Sequence, residues 1–338
     1  MKVPSLTFYC ELESERLIEL FSSSQLFDSL ILMKAKISLG ILDLSQKRAE
    51  VVKKLNKNGI PVVGWLLLPK EEGYWFNIGN LPQAKARYDA FQEWTEEHDL
   101  QWCAIGLDIE PDINEIKLIL DKKPGIIPKV LQRLFDRKGY YRATDGYQML
   151  VNKIRSDGYF VESYQIPVLA DDRKANSFLI RRIGGLVDLH VDREVWMLYS
   201  SIFRSIGVGI LGSYAPESEA IGIGITGGGV DIEFGSQTPL NWQEIERDLR
   251  LAWHWCDDIY IFSLEGCVEY DYLSKLVNFE LDKPILLPDS KISSVNRWRS
   301  FLQSILWLGA HFWILVICVL GIFGSLQLIR YWYKNKQK

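Results

Sequence analysis

The run Trp102-Cys103-Ala104-Ile105-Gly106-Leu107-Asp108-Ile109-Glu110-Pro111 is an apolar strand that ends in two alternate carboxylates and is stopped by proline. Side chains on a strand repeat every two residues, so Asp108 and Glu110 point the same way from its carboxyl end. Two neighbouring acids do not both ionise freely. A charge kept on Asp108 would hold Glu110 protonated near neutral pH, the condition of a general acid. Acidic groups also favour helix amino ends, and Pro111-Asp112-Ile113-Asn114-Glu115 reads as a helix start. Asp112 is better placed for that capping role, because Asp108 lies inside the apolar run, where a charge is costly.

On either side of this run, short apolar or β-branched stretches alternate with longer amphipathic ones, the pattern of parallel strands joined by helices. Strands are predicted at Ser5–Glu11, Ser29–Ile37, Ile60–Leu68, Trp102–Glu110, Tyr159–Ile166, Glu194–Ser200, Ala220–Thr226 and Asp258–Glu265. Helical stretches fall between them, and Gly59, Gly158 and Gly185 stand just past helix ends, where a left-handed residue is wanted. Eight such units predict an α/β domain, a (β/α)8 TIM barrel over residues 1–281, with its site at the carboxyl ends of the strands. An open doubly wound sheet is the rival, but no glycine-rich phosphate loop follows the first strand. The run Ile225-Thr226-Gly227-Gly228-Gly229 has no helix after it and reads as a turn.

At the mouth of such a barrel the carboxyl-end positions gather Glu11, Lys34 or Lys36, Glu110, Glu162 or Tyr164, Tyr199 and Glu265. Acids interleaved with tyrosine suit a carbohydrate, whose hydroxyls need acceptors and whose ring faces pack on aromatics. Tyr74, Trp75 and Phe76, in the loop after the third strand, offer a sugar platform. Each residue also has a bland reading: the aromatic loop could pack on the rim, Glu265 could cap a helix, and the lysines could neutralise nearby acids.

The chain has 338 residues, 48% of them apolar, and a net charge of −4, which gives no basic footprint for nucleic acid. Cys10, Cys103, Cys256, Cys267 and Cys318 show no zinc spacing and no disulfide scaffold, so a reducing compartment is the simpler reading. The four histidines form no i, i+4 pair beside a glutamate, and no Gly-x-Ser-x-Gly elbow occurs; neither a metal nor a cofactor is implied.

The amino end reaches Glu11 and Glu13 before an apolar core could form, which predicts no signal peptide. The other end differs. Residues 282–304 read as a linker rich in proline and serine, and 305–329 contain no Asp, Glu, Lys or Arg. As a helix that stretch would span about 37 Å, enough to cross a lipid bilayer with some tilt. Trp307, Trp313, Tyr331, Trp332 and Tyr333 near its ends resemble interfacial aromatics, and 330–338 form a basic tail. The expectation is a single-pass transmembrane anchor with the barrel on the cytoplasmic side.

Gly106-Leu107-Asp108-Ile109-Glu110 resembles the last part of the Asp-x-x-Asp-x-Asp-x-Glu signature of chitinase-like family 18 glycoside hydrolases. Met197-Leu198-Tyr199-Ser200 is similar to that family's Met-x-Tyr-Asp on strand 6, and Phe262-Ser263-Leu264-Glu265 to its Trp-Ser/Ala-Leu-Asp/Glu on strand 8. The resemblance implies a barrel in which Glu110 is the acid, Asp108 orients the substrate's acetamido group and Tyr199 binds its carbonyl. The sugar itself would then be the nucleophile. Gly106 and Ser200 stand where the family has aspartates, and Phe262 where it has tryptophan.

Without those aspartates, an ordinary retaining mechanism would need a second carboxylate, with Glu265 and then Glu162 as candidates. The expected catalytic set is thus Glu110, Asp108, Tyr199 and Glu265, with Glu11, Glu162, Tyr164, Trp75, Tyr74 and Phe262 around the substrate. The rival from another class is a non-catalytic barrel that binds a glycan or a protein at the membrane.

Overall fold

Eight strands, each followed by helix, close on themselves. The computed structural model describes residues 4–229, 238–280, 283, 285–311, 313, 317, 320–321 and 324–327. The strands are β1 (Ser5–Cys10), β2 (Lys36–Ile41), β3 (Val62–Leu66), β4 (Ala104–Ile109), β5 (Val161–Gln165), β6 (Arg193–Met197), β7 (Ala220–Gly224) and β8 (Asp258–Phe262). Each pairs in parallel with the next, and β8 pairs with β1, giving the closed eight-stranded barrel.

Alternation along the strands sorts side chains into two layers. Phe8, Ile37, Leu39, Ile105, Leu107, Ile221 and Ile261 are wholly buried against the surrounding helices. Tyr9, Trp65, Tyr164, Val195, Ala220 and Tyr260 pack inside the barrel, where the aromatic rings meet edge to face or tilted. The interior is therefore a filled aromatic core, as the fold requires.

Two expectations need correction. The second strand was placed at Ser29–Ile37, but Ser24–Leu32 is a helix, capped by Ser23 and burying Leu26, Phe27 and Leu30; the strand begins at Lys36. Lys34 and Lys36 thus stand at the amino end of β2, away from the mouth.

The stretch 282–304 is also more than a linker. From Asp289 to Ala310 it forms a helix that packs on the barrel helices Gly207–Tyr214 and Val168–Lys174. The close approach uses Gly209 and Gly212, where a Cβ would come 2.8 Å from Lys291 O and 2.6 Å from Ile292 Cδ1. Arg299, 4% exposed, pins it there: Nε donates to Asp171 Oδ1 at 2.9 Å, Nη1 to Ser213 O at 2.7 Å and Nη2 to Glu217 at 3.1 Å.

Much of the expected membrane segment 305–329 and all of the tail 330–338 lie outside the described residues. Among the described residues, no helix is long and apolar enough to cross a membrane.

Candidate active site at the carboxyl end of the barrel

β4 and the turn behind it place the two acids as the alternation predicts. Asp112 Oδ1 accepts from Asn114 N at 2.8 Å and starts the helix Ile113–Leu120, so capping falls to Asp112 and leaves Asp108 and Glu110 for the barrel mouth. There they line a cavity of about 410 Å³ together with Glu11, Tyr9, Trp65, Trp75, Tyr164, Met197, Tyr199 and Phe262. That volume suits a small ligand or one or two sugar rings. Among the described residues no lysine, arginine or histidine lines it.

Asp108 is almost wholly buried, and Trp65 Nε1–H donates to its Oδ2 at 3.1 Å. Burial, then the charges of Glu110 and Glu11, push its carboxyl well above the usual range. Burial lifts Glu110 to about 7, and the neighbouring Asp108 carboxyl offsets this in part. The two titrate as a pair. Both carboxyls are raised, and for Glu110 the cause is burial, where the sequence reading gave that part to a charge on Asp108.

Tyr199 lines the cavity as expected, its ring 5.9 Å from that of Phe262. Burial, with Asp108, Glu110 and Glu11 nearby, pushes its hydroxyl up. Ser200 turns the other way and donates to buried Asp248.

Trp75 forms part of the wall, while Tyr74 lies behind it and donates its hydroxyl to Glu11 Oε1. Phe76, the third aromatic of that loop, is core, packed on Tyr147. Tyr164 lines the cavity and shares a 2.7 Å hydrogen bond with Ser38.

Glu265 and Glu162 are placed differently from expectation. Glu265 does not line the cavity; it accepts from Glu11 N at 3.3 Å and is covered by Gly228, and its burial raises it to about 7. Glu162 stands one residue into β5, at the amino end of the barrel. Tyr260 Oη donates to it at 2.7 Å and Arg193 Nη1 at 3.3 Å, so it is a structural acid in the floor.

The segment Ile225–Gly229, expected as a turn, forms one side of the cavity with bends at Gly227 and Gly229: Gly228 and Gly229 line it at φ +75° and +88°, a left-handed backbone that favours glycine. Among the described residues no group of three or more His, Cys, Asp and Glu is placed to hold a metal ion.

Sequence reasoning missed Tyr9 and Trp65 as cavity residues and named Met197 only as part of a resemblance. Tyr9 carried a signal, standing two residues before Glu11 on the same face of β1. Ile202, Phe203 and Ile210 line the cavity from the segment after β6, and nothing in their local pattern marks them.

No family model matches the chain, and no curated protein sequence does. Among solved structures, the fold is similar to the PgaB (BpsB) glycoside hydrolase domain from Bordetella bronchiseptica, at 9% identity and a TM-score of 0.50. The match covers 83% of this chain and all of that one. A weaker likeness, TM-score 0.42 at 9% identity, links 88% of the chain to 99% of a D-allulose 3-epimerase from Methylomonas sp.. At these identities the likeness is one of fold, the TIM barrel.

Proposed function

We propose that this barrel binds a saccharide at its carboxyl-end cavity and cleaves a glycosidic bond, with Glu110 as proton donor. The observation that carries this is the cavity itself: Glu110, Asp108 and Glu11 converge on it between aromatic walls. A carboxyl raised to about 7 is protonated often enough near neutral pH to give its proton to a leaving oxygen. Asp108, held by Trp65, is its partner and positions the substrate group next to the reacting carbon.

The second carboxylate of an ordinary two-acid mechanism is Glu11, in place of Glu265 and Glu162. It lines the cavity from β1, three strands round from β4, and Tyr74 fixes its orientation. Trp75, Tyr199 and Phe262 supply faces for the sugar ring. The likeness of fold to a glycoside hydrolase domain adds the scaffold to this reading. Attachment to a membrane through residues 305–329 belongs to the same proposal and rests on their uncharged sequence.

A binding-only barrel is the second reading, favoured by Ser200, which pairs with Asp248 where the family has a second acid near the site. Screening the full chain against aryl glycosides, beside Glu110→Gln, separates the two. Turnover by the native chain that falls about 10²-fold in Glu110→Gln supports catalysis. Binding without cleavage by both chains supports the second reading, and turnover unchanged in Glu110→Gln removes Glu110 from the mechanism.

A further inference from the structure

Three helices turn apolar side chains away from the barrel. Ile126–Phe135 buries none of its ten residues, and Ile127, Leu131 and Phe135, one stripe at i, i+4 and i+8, are 55%, 49% and 83% exposed. Leu179–Gly184 adds exposed Ile183, and just before it exposed Phe178 packs on exposed Tyr141 with rings 6.1 Å apart. On Asp289–Ala310, the residues Trp298, Phe301, Ile305 and Leu308 form an exposed stripe, while Val295, Arg299 and Leu306 on another side are buried. A helix laid on a folded domain ordinarily shows water its polar face. This one is apolar toward the outside.

The three are joined. Arg182 Nε donates to Arg133 O at 3.1 Å, linking the first helix to the second. Leu179 Cδ1 lies 2.5 Å from the Cβ position of Gly309, linking the second to the third. Exposed apolar surface on neighbouring helices of this kind marks an interaction site.

The charge around it indicates the partner. In a chain of net charge −4, residues 117–142 carry eight lysines and arginines against two aspartates. Lys122, Lys123, Lys129, Arg137, Lys138 and Arg142 are exposed in this segment; Lys123 pairs with Asp121 and Lys129 with Glu115, and no ion pair is described for the other four. The third helix leads directly into the uncharged segment 305–329.

We propose that this face lies on an anionic lipid bilayer, its apolar stripes at the acyl boundary and its lysines and arginines at the headgroups. The inference rests on the membrane attachment proposed above and adds which side of the barrel meets the lipid.

The test places p-benzoylphenylalanine at Phe135, at Phe301 or, as control, at Leu32, which is 70% exposed on the helix Ser24–Leu32. Each full-length chain is reconstituted in vesicles of phosphatidylcholine with phosphatidylglycerol, washed with alkaline carbonate and irradiated, and adducts are read by mass spectrometry. Lipid adducts at 135 and 301, absent at 32 and reduced severalfold at 135 when phosphatidylglycerol is omitted, are the expected result. A chain that stays with the vesicles but gives no lipid adduct at 135 or 301 overturns the docking face and leaves the anchor standing. Adducts to a second copy of the chain make the face a dimer interface and also overturn it. A chain washed off the vesicles overturns the anchor and the docking face together.

Discussion

The phenol ring of Tyr164 fills the space into which any side chain at position 106 would grow. A Cβ on Gly106 would stand 2.8 Å from Tyr164 Cζ and closer still to the phenol oxygen. The glycine at position 106 of β4 is thus the counterpart of a tyrosine on β5.

Gly106→Ala should therefore destabilise the fold by about 1–3 kcal/mol through overpacking in the barrel interior. Adding Tyr164→Leu, which removes the ring, should make the double variant less damaged than the sum of the two changes. Urea unfolding of the four chains measures this; strict additivity would show that the two residues do not compete for the space.

The pair at the end of β4 makes a prediction about pH. Burial, rather than a charge on Asp108, lifts Glu110 to about 7. In Asp108→Asn that burial remains, so the alkaline limb of any pH–rate profile should stay near 7 while the rate itself falls. A limb that drops toward the ordinary glutamate range would mean that a charged Asp108 had been holding the proton.

Glu265 links acid strength to stability. Its carboxyl is raised from 4.5 unfolded to about 7 folded, so the fold prefers it protonated. The contribution is fully present below about pH 4.5 and is lost as pH rises through about 7. Glu265→Gln, which cannot ionise, should gain on the native chain by on the order of 3 kcal/mol between pH 4 and pH 8, since each tenfold difference in acid strength is worth roughly 1.4 kcal/mol. Denaturation across that range checks it; a difference that does not change with pH would place the ionisation elsewhere.

Arg299 gives the fourth prediction. Its pairing with buried Asp171 ties the helix Asp289–Ala310 to the barrel. Arg299→Ala should cost about 3–5 kcal/mol by leaving buried Asp171 with hydrogen bonds from Tyr214 and Gln303 but without its guanidinium partner. Asp171→Asn introduced with it should recover part of that loss. Cutting the chain after Pro288 should destabilise the barrel for the same reason, as calorimetry or limited proteolysis would show.

Much of the fold was legible because parallel strands and amphipathic helices leave different periods. β4 announced itself through apolar alternation ending in Asp108 and Glu110, and Tyr199 was placed at a strand end by the same logic; Trp75 was read from the run of aromatics in a loop and Phe262 from a resemblance. The failures share a cause, which is that period tells orientation but not height or partner. Ser29–Ile37 is apolar enough for a strand, yet Ser23 as cap and the spacing of Leu26, Phe27 and Leu30 belong to a helix. Glu162 faces inward as expected, but β5 starts only at Val161, so it reaches the floor and Arg193 instead of the mouth. Proline and serine near 284–294 hid a helix whose anchor, Asp171, lies 128 residues away. Long-range pairs of that kind leave no local mark.

The barrel has a seam, and the cavity straddles it. Tyr9 of β1 stands level with Phe262 of β8, and Glu11 N reaches Glu265 across 254 residues of chain. A polypeptide that has completed seven strands holds Asp108 and Glu110 in place but has no wall facing them. The pocket comes into being only when the first strand meets the last, at the slowest kind of contact to form. A ligand that fits it is consequently a reporter of completed assembly: it binds the closed ring or nothing, and in binding it draws the population toward closure.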